Sequence, residues 1–388
     1  MTNMTIQEQA ARRTFPAFRL ANLLRSTFEP RPGQKICILI DLEDPSEIKN
    51  FAFLKNTELP IQRNAVNFFH KPLHAGVLQE LGLQGGGIYA YKITGGSNLD
   101  LPDEAYTPEG QKVSLEKDVY PNHDIILCIS TYSATAPLTA FAKQYQFRGA
   151  TLHGVNPTIL RSGLAVSYDD VSVDAEKMRL GMTNADWVEI DFLYNGNTHT
   201  LHLDLGRQDA QKSHGLCRGD EPDVANLPAG EIYYVPTGAS GAFPMRYEDG
   251  TIGLMHVSGG RIQKAELLNG DASVVEAHNA KLISDPVTGE LGELGFGTQI
   301  LPVSGRDIQD EKIRGTIHVA TGRSDHLGGS LTPDKFAEHL NATHDDILFA
   351  PHKTSEILVT QARMHRNGEV KVLIENYQPS EYIQSLLK

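Results

Sequence analysis

The apolar residues of this chain change their arrangement part-way along it, and that change constrains the fold more than any single motif. In the first half, short apolar runs such as "KICILID" (35–41) and "DIILCIS" (124–130) alternate with helical spacing. This is the pattern of a layered α/β domain. Further strands are expected at 86–94 and 149–155, and helices at 7–27, 46–55, 67–82 and 134–145, giving a partly parallel sheet with helices on its faces. From about residue 184 the runs "DWVEIDFLY", "THTLHLDLG", "GTIGLMHVSGG" and "EVKVLIEN" follow one another, parted by Gly, Asn and Asp turns. Such a segment forms antiparallel hairpins, one of them closed by "SGG" between 252–257 and 260–267. The expected organisation is an α/β domain over 1–170 and a strand-rich α+β domain over 171–388, with a helix at about 172–183 crossing between them.

Lys and Arg number 35 against 48 Asp and Glu, a formal charge of −13, and the acids are scattered. That balance disfavours nucleic acid and anionic membranes as partners. The three cysteines, Cys37, Cys128 and Cys217, form no CxxC pair and read as buried reduced thiols. Neither a secretory signal nor a membrane-length apolar run is visible, so a cytoplasmic location is expected. The glycines of "LGLQGGGIYA" precede a strand and open no helix, which makes them a turn rather than a dinucleotide fingerprint.

Four stretches of the second half place metal-competent side chains at strand ends or beside glycine. Glu231 lies between "LPAG" and "IYYVP", and Glu293 sits in "LGELGFG". Neither has a lysine or arginine beside it in sequence, and burying a carboxylate costs several kcal/mol unless a cation or good donors meet it. The third stretch carries His318. In the fourth, "NATHDDILFA", strand alternation puts His344 and Asp346 on one face and Asp345 on the other. A mixed nitrogen and oxygen set suits zinc, manganese, cobalt or iron rather than calcium. The alternative reading leaves both glutamates hydrogen-bonded to loop amides and Asp346 merely orienting His344.

In order, "NLPAGE", "GELGFGTQ", "DEKIRGTIHVATG" and "THDDILF" resemble the motifs of the thermophilic metalloaminopeptidase family, aminopeptidases T and S. The likeness covers roughly 226–352 and implies an aminopeptidase T-like fold. It also implies a homodimer that cleaves a peptide or small amide with water activated by two divalent cations, zinc, cobalt or manganese. By resemblance the ligands are Glu231, Glu293, His318, His344 and Asp346, with Glu293 bridging the ions and taking part in catalysis. A related branch, 2,5-dihydroxypyridine 5,6-dioxygenase, uses a single iron(II). It has a histidine at the position of Glu293 and lacks counterparts of Glu231 and His318. A non-catalytic ligand-binding descendant is the third possibility.

The chain departs from the peptidases after His318, where their tyrosine is replaced by Asp325 within "GRSDHLGGS". Asp325 or His326 is the candidate to take over as ligand or proton donor. Arg323 is the candidate to bind a substrate carboxylate, and His352, in "APHK", to reach the pocket as a substrate-binding base.

Overall fold

Strands that are apolar along their whole length need cover on both faces, and those of the first half obtain it. The computed structural model describes residues 4–388. It divides into two compact units: residues 14–172 with 214–229, and residues up to Arg13 with 173–213 and 230–388.

The first of these units is built on a seven-stranded sheet. Its order is Val224–Asn226, Arg148–Thr151, Ile125–Ile129, Lys35–Leu42, Gln84–Lys92, Glu104–Tyr106 and Lys112–Ser114. The first five strands are parallel, and the last two add antiparallel at the edge. Every residue from Ile36 to Leu42 and from Ile125 to Ile129 is buried, as a parallel sheet under helices requires. Cys37, Cys128 and Cys217 are buried free thiols.

Several expected elements differ in detail. The 7–27 helix is two helices, Ile6–Arg12 and Leu20–Phe28, because Arg13 turns extended and Pro16 follows. The 67–82 helix begins at Pro60 and is interrupted at Gly76, whose φ is 134°. The "GGG" residues are not a turn. Gly85 and Gly86, at φ 83° and 85°, lie within the strand Gln84–Lys92, where its register shifts against Ile36 and Cys37. The chain also does not divide once near 170: it returns to the α/β unit at 214–229 so that Val224–Asn226 can pair with Arg148–Thr151.

The second unit contains two antiparallel sheets. One has eight strands, ordered Arg261–Asn269, Ile252–Ser258, Gly238–Arg246, Asn197–Asp204, Trp187–Tyr194, Leu358–Arg366, Glu369–Glu375 and Gln378–Pro379. The hairpin closed by Gly259 and Gly260 lies within it. The other has five strands, ordered His344–Phe349, Ile317–Gly322, Leu291–Gly297, Glu231–Tyr234 and Gln211–Ser213. Ile190, Phe192, Leu201, Phe243 and Met364 of the large sheet share a buried core with Ile232, Leu294, Phe296, Val319 and Phe349 of the small one.

Within the small sheet Gly297 lies opposite Glu231. A Cβ there would meet the Ile313 carbonyl oxygen at 2.1 Å and that of Glu311 at 2.7 Å. Backbone cannot swing aside as a side chain can. Gly297→Ala is therefore expected to cost about 2 kcal/mol of stability, read as a lower urea midpoint than wild type.

Candidate metal centre

The two faces of the five-stranded sheet differ completely in chemistry. Alternation sends Ile232, Tyr234, Leu294, Phe296, Ile317, Val319 and Phe349 into the core. Glu231, His318, His344 and Asp346 occupy the intervening positions and turn the other way. Glu293 joins them by the same alternation, next to the core residue Leu294, and a bulge between Leu291 and Glu293 lets Leu291, two residues earlier, still reach the core.

Convergence needs room, and the cross-strand partners supply it. Glu231 lies opposite Gly297, His318 opposite Gly295, His344 opposite Gly322, and both Glu293 and Asp346 opposite Ala320. On one side each candidate ligand thus faces a residue with at most a methyl group, while on the other side Glu231 has Ser213 and His318 has Leu348. At Gly295 a Cβ would fall 2.0 Å from the His318 ring.

All five sequence-predicted ligands come together. His344 Nε2 is 2.9 Å from Glu293 Oε2 and 3.4 Å from Asp346 Oδ1. His318 Nε2 is 3.5 Å from Glu293 Oε1 and 3.7 Å from Glu231 Oε2. Ligand atoms of Glu231, Glu293 and His318 lie within 4.8 Å of one another, as do those of Glu293, His344 and Asp346. Glu293 belongs to both groups and directs one oxygen to each imidazole. His344 Nδ1 donates to the Arg323 carbonyl oxygen at 2.6 Å, leaving Nε2 toward the carboxylates. A histidine ligand is oriented in this way by its second nitrogen. Glu231, Glu293, His318 and His344 are buried, whereas Asp346 keeps 32 % of its side chain exposed and forms the accessible edge.

Two further residues enter the cluster. Glu311 shares a third group with His318 and Asp346. Lys312, 1 % exposed, places Nζ 2.7 Å from Glu231 Oε2 and 2.5 Å from Glu311 Oε1. The absence of a cation near Glu231 in sequence therefore does not hold in space. "DEKIRGT" is marked out only by its place in the ordered motifs, and nothing in its own pattern announces a buried lysine.

Charge balance explains the protonation of the metal-free cluster. Burial disfavours an imidazolium at His318, but the bond to Glu293 and the charges of Glu293, Glu311 and Glu231 outweigh it and push its pKa up to about 10. His344 is likewise raised against its burial, chiefly by Asp346 and then Glu293. Burial would raise the Glu293 pKa, yet His318 and His344 hold it well below the usual carboxylate range. For Glu311 burial prevails over Lys312, and its carboxyl is pushed up to about 8. The carboxylates around both imidazoles thus draw positive charge to this face, and the same carboxylates and ring nitrogens are the atoms that could hold a metal.

The remaining predicted residues are placed differently from one another. Arg323 is buried and forks onto Asp325, with Nε 2.7 Å from Oδ1 and Nη2 3.2 Å from Oδ2. The guanidinium offered by the sequence to a substrate carboxylate thus holds a carboxylate of the chain's own. His326 packs edge-on against His344, ring centroids 5.0 Å apart, and so borders the cluster. His352 does not join it. Its Nε2 lies 3.0 Å from Asp310 Oδ2, a carboxylate that also accepts from the backbone of Ser304 and Gly305.

No known protein family's sequence profile matches the chain. No curated protein matches it either. Among solved structures, 2,5-dihydroxypyridine dioxygenase from Pseudomonas putida KT2440 is similar at a TM-score of 0.55 and 13 % identity, over 90 % of this chain and 92 % of that one. At this identity the likeness shows the fold alone. The aminopeptidase resemblance of the motifs gains no support from these comparisons, whereas the dioxygenase branch gains it at the level of fold. Among the described residues no helix is long and apolar enough to cross a membrane.

Two outcomes follow from the geometry. In metal-free protein the raised His318 pKa contributes stability that is complete below the ordinary 6.5 and is lost as pH rises through about 10. Metal takes the unprotonated nitrogen, so a bound ion should remove that loss and release protons as it binds; melting temperatures against pH, with and without metal, check both. Gly295→Ala should displace His318 and weaken metal binding at the Glu231, Glu293 and His318 group roughly 10-fold or more, measured by calorimetry.

Proposed function

We propose that the chain is a metal-dependent enzyme whose principal ion is held by Glu293, His344 and Asp346. The observation that carries this reading is the buried pairing of Glu293 with His344, whose other nitrogen is anchored on the Arg323 carbonyl, beside a partly accessible Asp346. The donor set fits a divalent first-row metal, and one histidine with two carboxylates leaves coordination positions for substrate.

The chemistry favoured first is ring cleavage of a small aromatic substrate with oxygen at a single iron(II). Its support is the fold shared along nearly the whole chain with a 2,5-dihydroxypyridine dioxygenase. When bound, iron(II) would supply positions for oxygen and substrate side by side. His344 and Asp346 supply the H-x-D pair and Glu293 the third ligand. His326 lines the edge of His344, and Asp325, whose burial is outweighed by the nearby His326 ring and the fork from Arg323 so that its pKa is held low, keeps that turn anchored.

A second reading, hydrolysis of a peptide or small amide by water between two cations, is favoured by one observation. Glu293 is common to the Glu231/His318 and His344/Asp346 groups, the disposition of a bridging carboxylate. Zinc, cobalt or manganese would serve there.

Metal analysis on protein purified without chelators separates the two. One iron per chain with oxygen uptake on a dihydroxypyridine supports ring cleavage. Two zinc, cobalt or manganese ions with amine release from aminoacyl amides supports hydrolysis. Glu293→Gln should lower metal affinity roughly 100-fold or more in either case; full metal retention in that variant would refute the centre.

A further inference from the structure

We infer that Lys312 makes the two cation positions of this centre unequal, leaving Glu293, His344 and Asp346 as the tight position and Glu231, Glu293 and His318 as the weak one. The inference rests on the metal-centre reading above. Glu231 Oε2 is the oxygen that faces His318, and it is also the oxygen 2.7 Å from the Lys312 ammonium. That one oxygen is therefore shared between the ammonium and the imidazole. A divalent ion on Glu231 would therefore sit within a few ångströms of a fixed positive charge. In a site closed to water, that repulsion is poorly screened.

Lys312 has no way to withdraw into solvent. Its side chain is 1 % exposed. Its backbone is fastened on both sides, since its N–H donates to Gln309 and its carbonyl accepts from Gln299. Gly297, lacking a side chain, lets the 311–313 backbone lie against the sheet, which brings the lysine to Glu231. Glu311, the other partner of the ammonium, reinforces its place.

The other position carries no such competitor. Among the described residues, no lysine or arginine is ion-paired with Glu293, His344 or Asp346, and their ion-pair partners are one another and His318. Lys312 is thus a positioning residue that acts through Glu231. It decides how many ions the centre holds at a given metal concentration, and so which of the two chemistries is open to it.

The test is calorimetric titration of metal-free protein with Mn²⁺ or Zn²⁺, with ions per chain counted after desalting. The expected result is one ion retained and a second step at least roughly 100-fold weaker. His344→Ala should abolish the tight step, and His318→Ala only the weak one. Lys312→Met should strengthen the weak step roughly 10-fold or more while leaving the tight step within a few-fold. Two equal steps in wild type, loss of the tight step in His318→Ala, or a weaker second step in folded Lys312→Met would each overturn the inference and leave the metal centre standing. If Lys312→Met fails to fold by circular dichroism, Lys312→Gln, which removes the charge and keeps a hydrogen-bonding side chain, takes its place with the same expected and overturning results. Failure of wild type to bind either ion would remove the metal-centre reading together with the inference.

Discussion

The sharing of one buried carboxylate, Glu293, between two imidazoles is the interaction around which the small sheet is organised. Its oxygens point to His318 and His344, and Glu231, Glu311 and Asp346 crowd the same face. Carboxylates gathered on one face repel one another unless positive charge stands among them, and a mostly buried setting makes each uncompensated charge expensive. The cluster answers with Lys312, with two histidines whose pKa values are raised, and with a Glu311 carboxyl pushed toward its neutral form. Protons can leave when a metal arrives, but Lys312 is permanently placed. The balance of the centre is therefore adjustable at the histidines and fixed at the lysine.

That cluster is possible because the opposite face of the same strands is ordinary core. Leucine, isoleucine, valine, tyrosine and phenylalanine alternate with the ligands, so the packing that holds the strands in register also sets where each ligand points. Glycine and alanine opposite the ligands do the complementary work of leaving space. A bulge before Glu293 lets Leu291 reach the core, where strict alternation would put it on the same face as Glu293.

Fold likeness and motif likeness point to different branches. The shared fold with a dioxygenase spans both units, while the motif order that resembles the metalloaminopeptidases is confined to the strand-rich part. Fold alone does not choose between them, because activity resides in the side chains that the scaffold carries.

Much was legible in the chain itself. Apolar runs gave the partly parallel sheet, turn-parted strands gave the antiparallel unit, and period-two alternation put His344 and Asp346 on one face, as it does wherever a strand is extended. Glutamates in glycine- and leucine-rich surroundings marked Glu231 and Glu293 as needing cationic partners, since local residues offered none. Other features depend on contacts between distant segments and had no local signature. Tertiary structure alone brought Lys312 to Glu231, attached His352 to Asp310 and returned 214–229 to the parallel sheet. The physical reason is that periodicity reports which way a side chain faces along its own strand, whereas the partner it meets is set by strand order and by loops crossing the sheet.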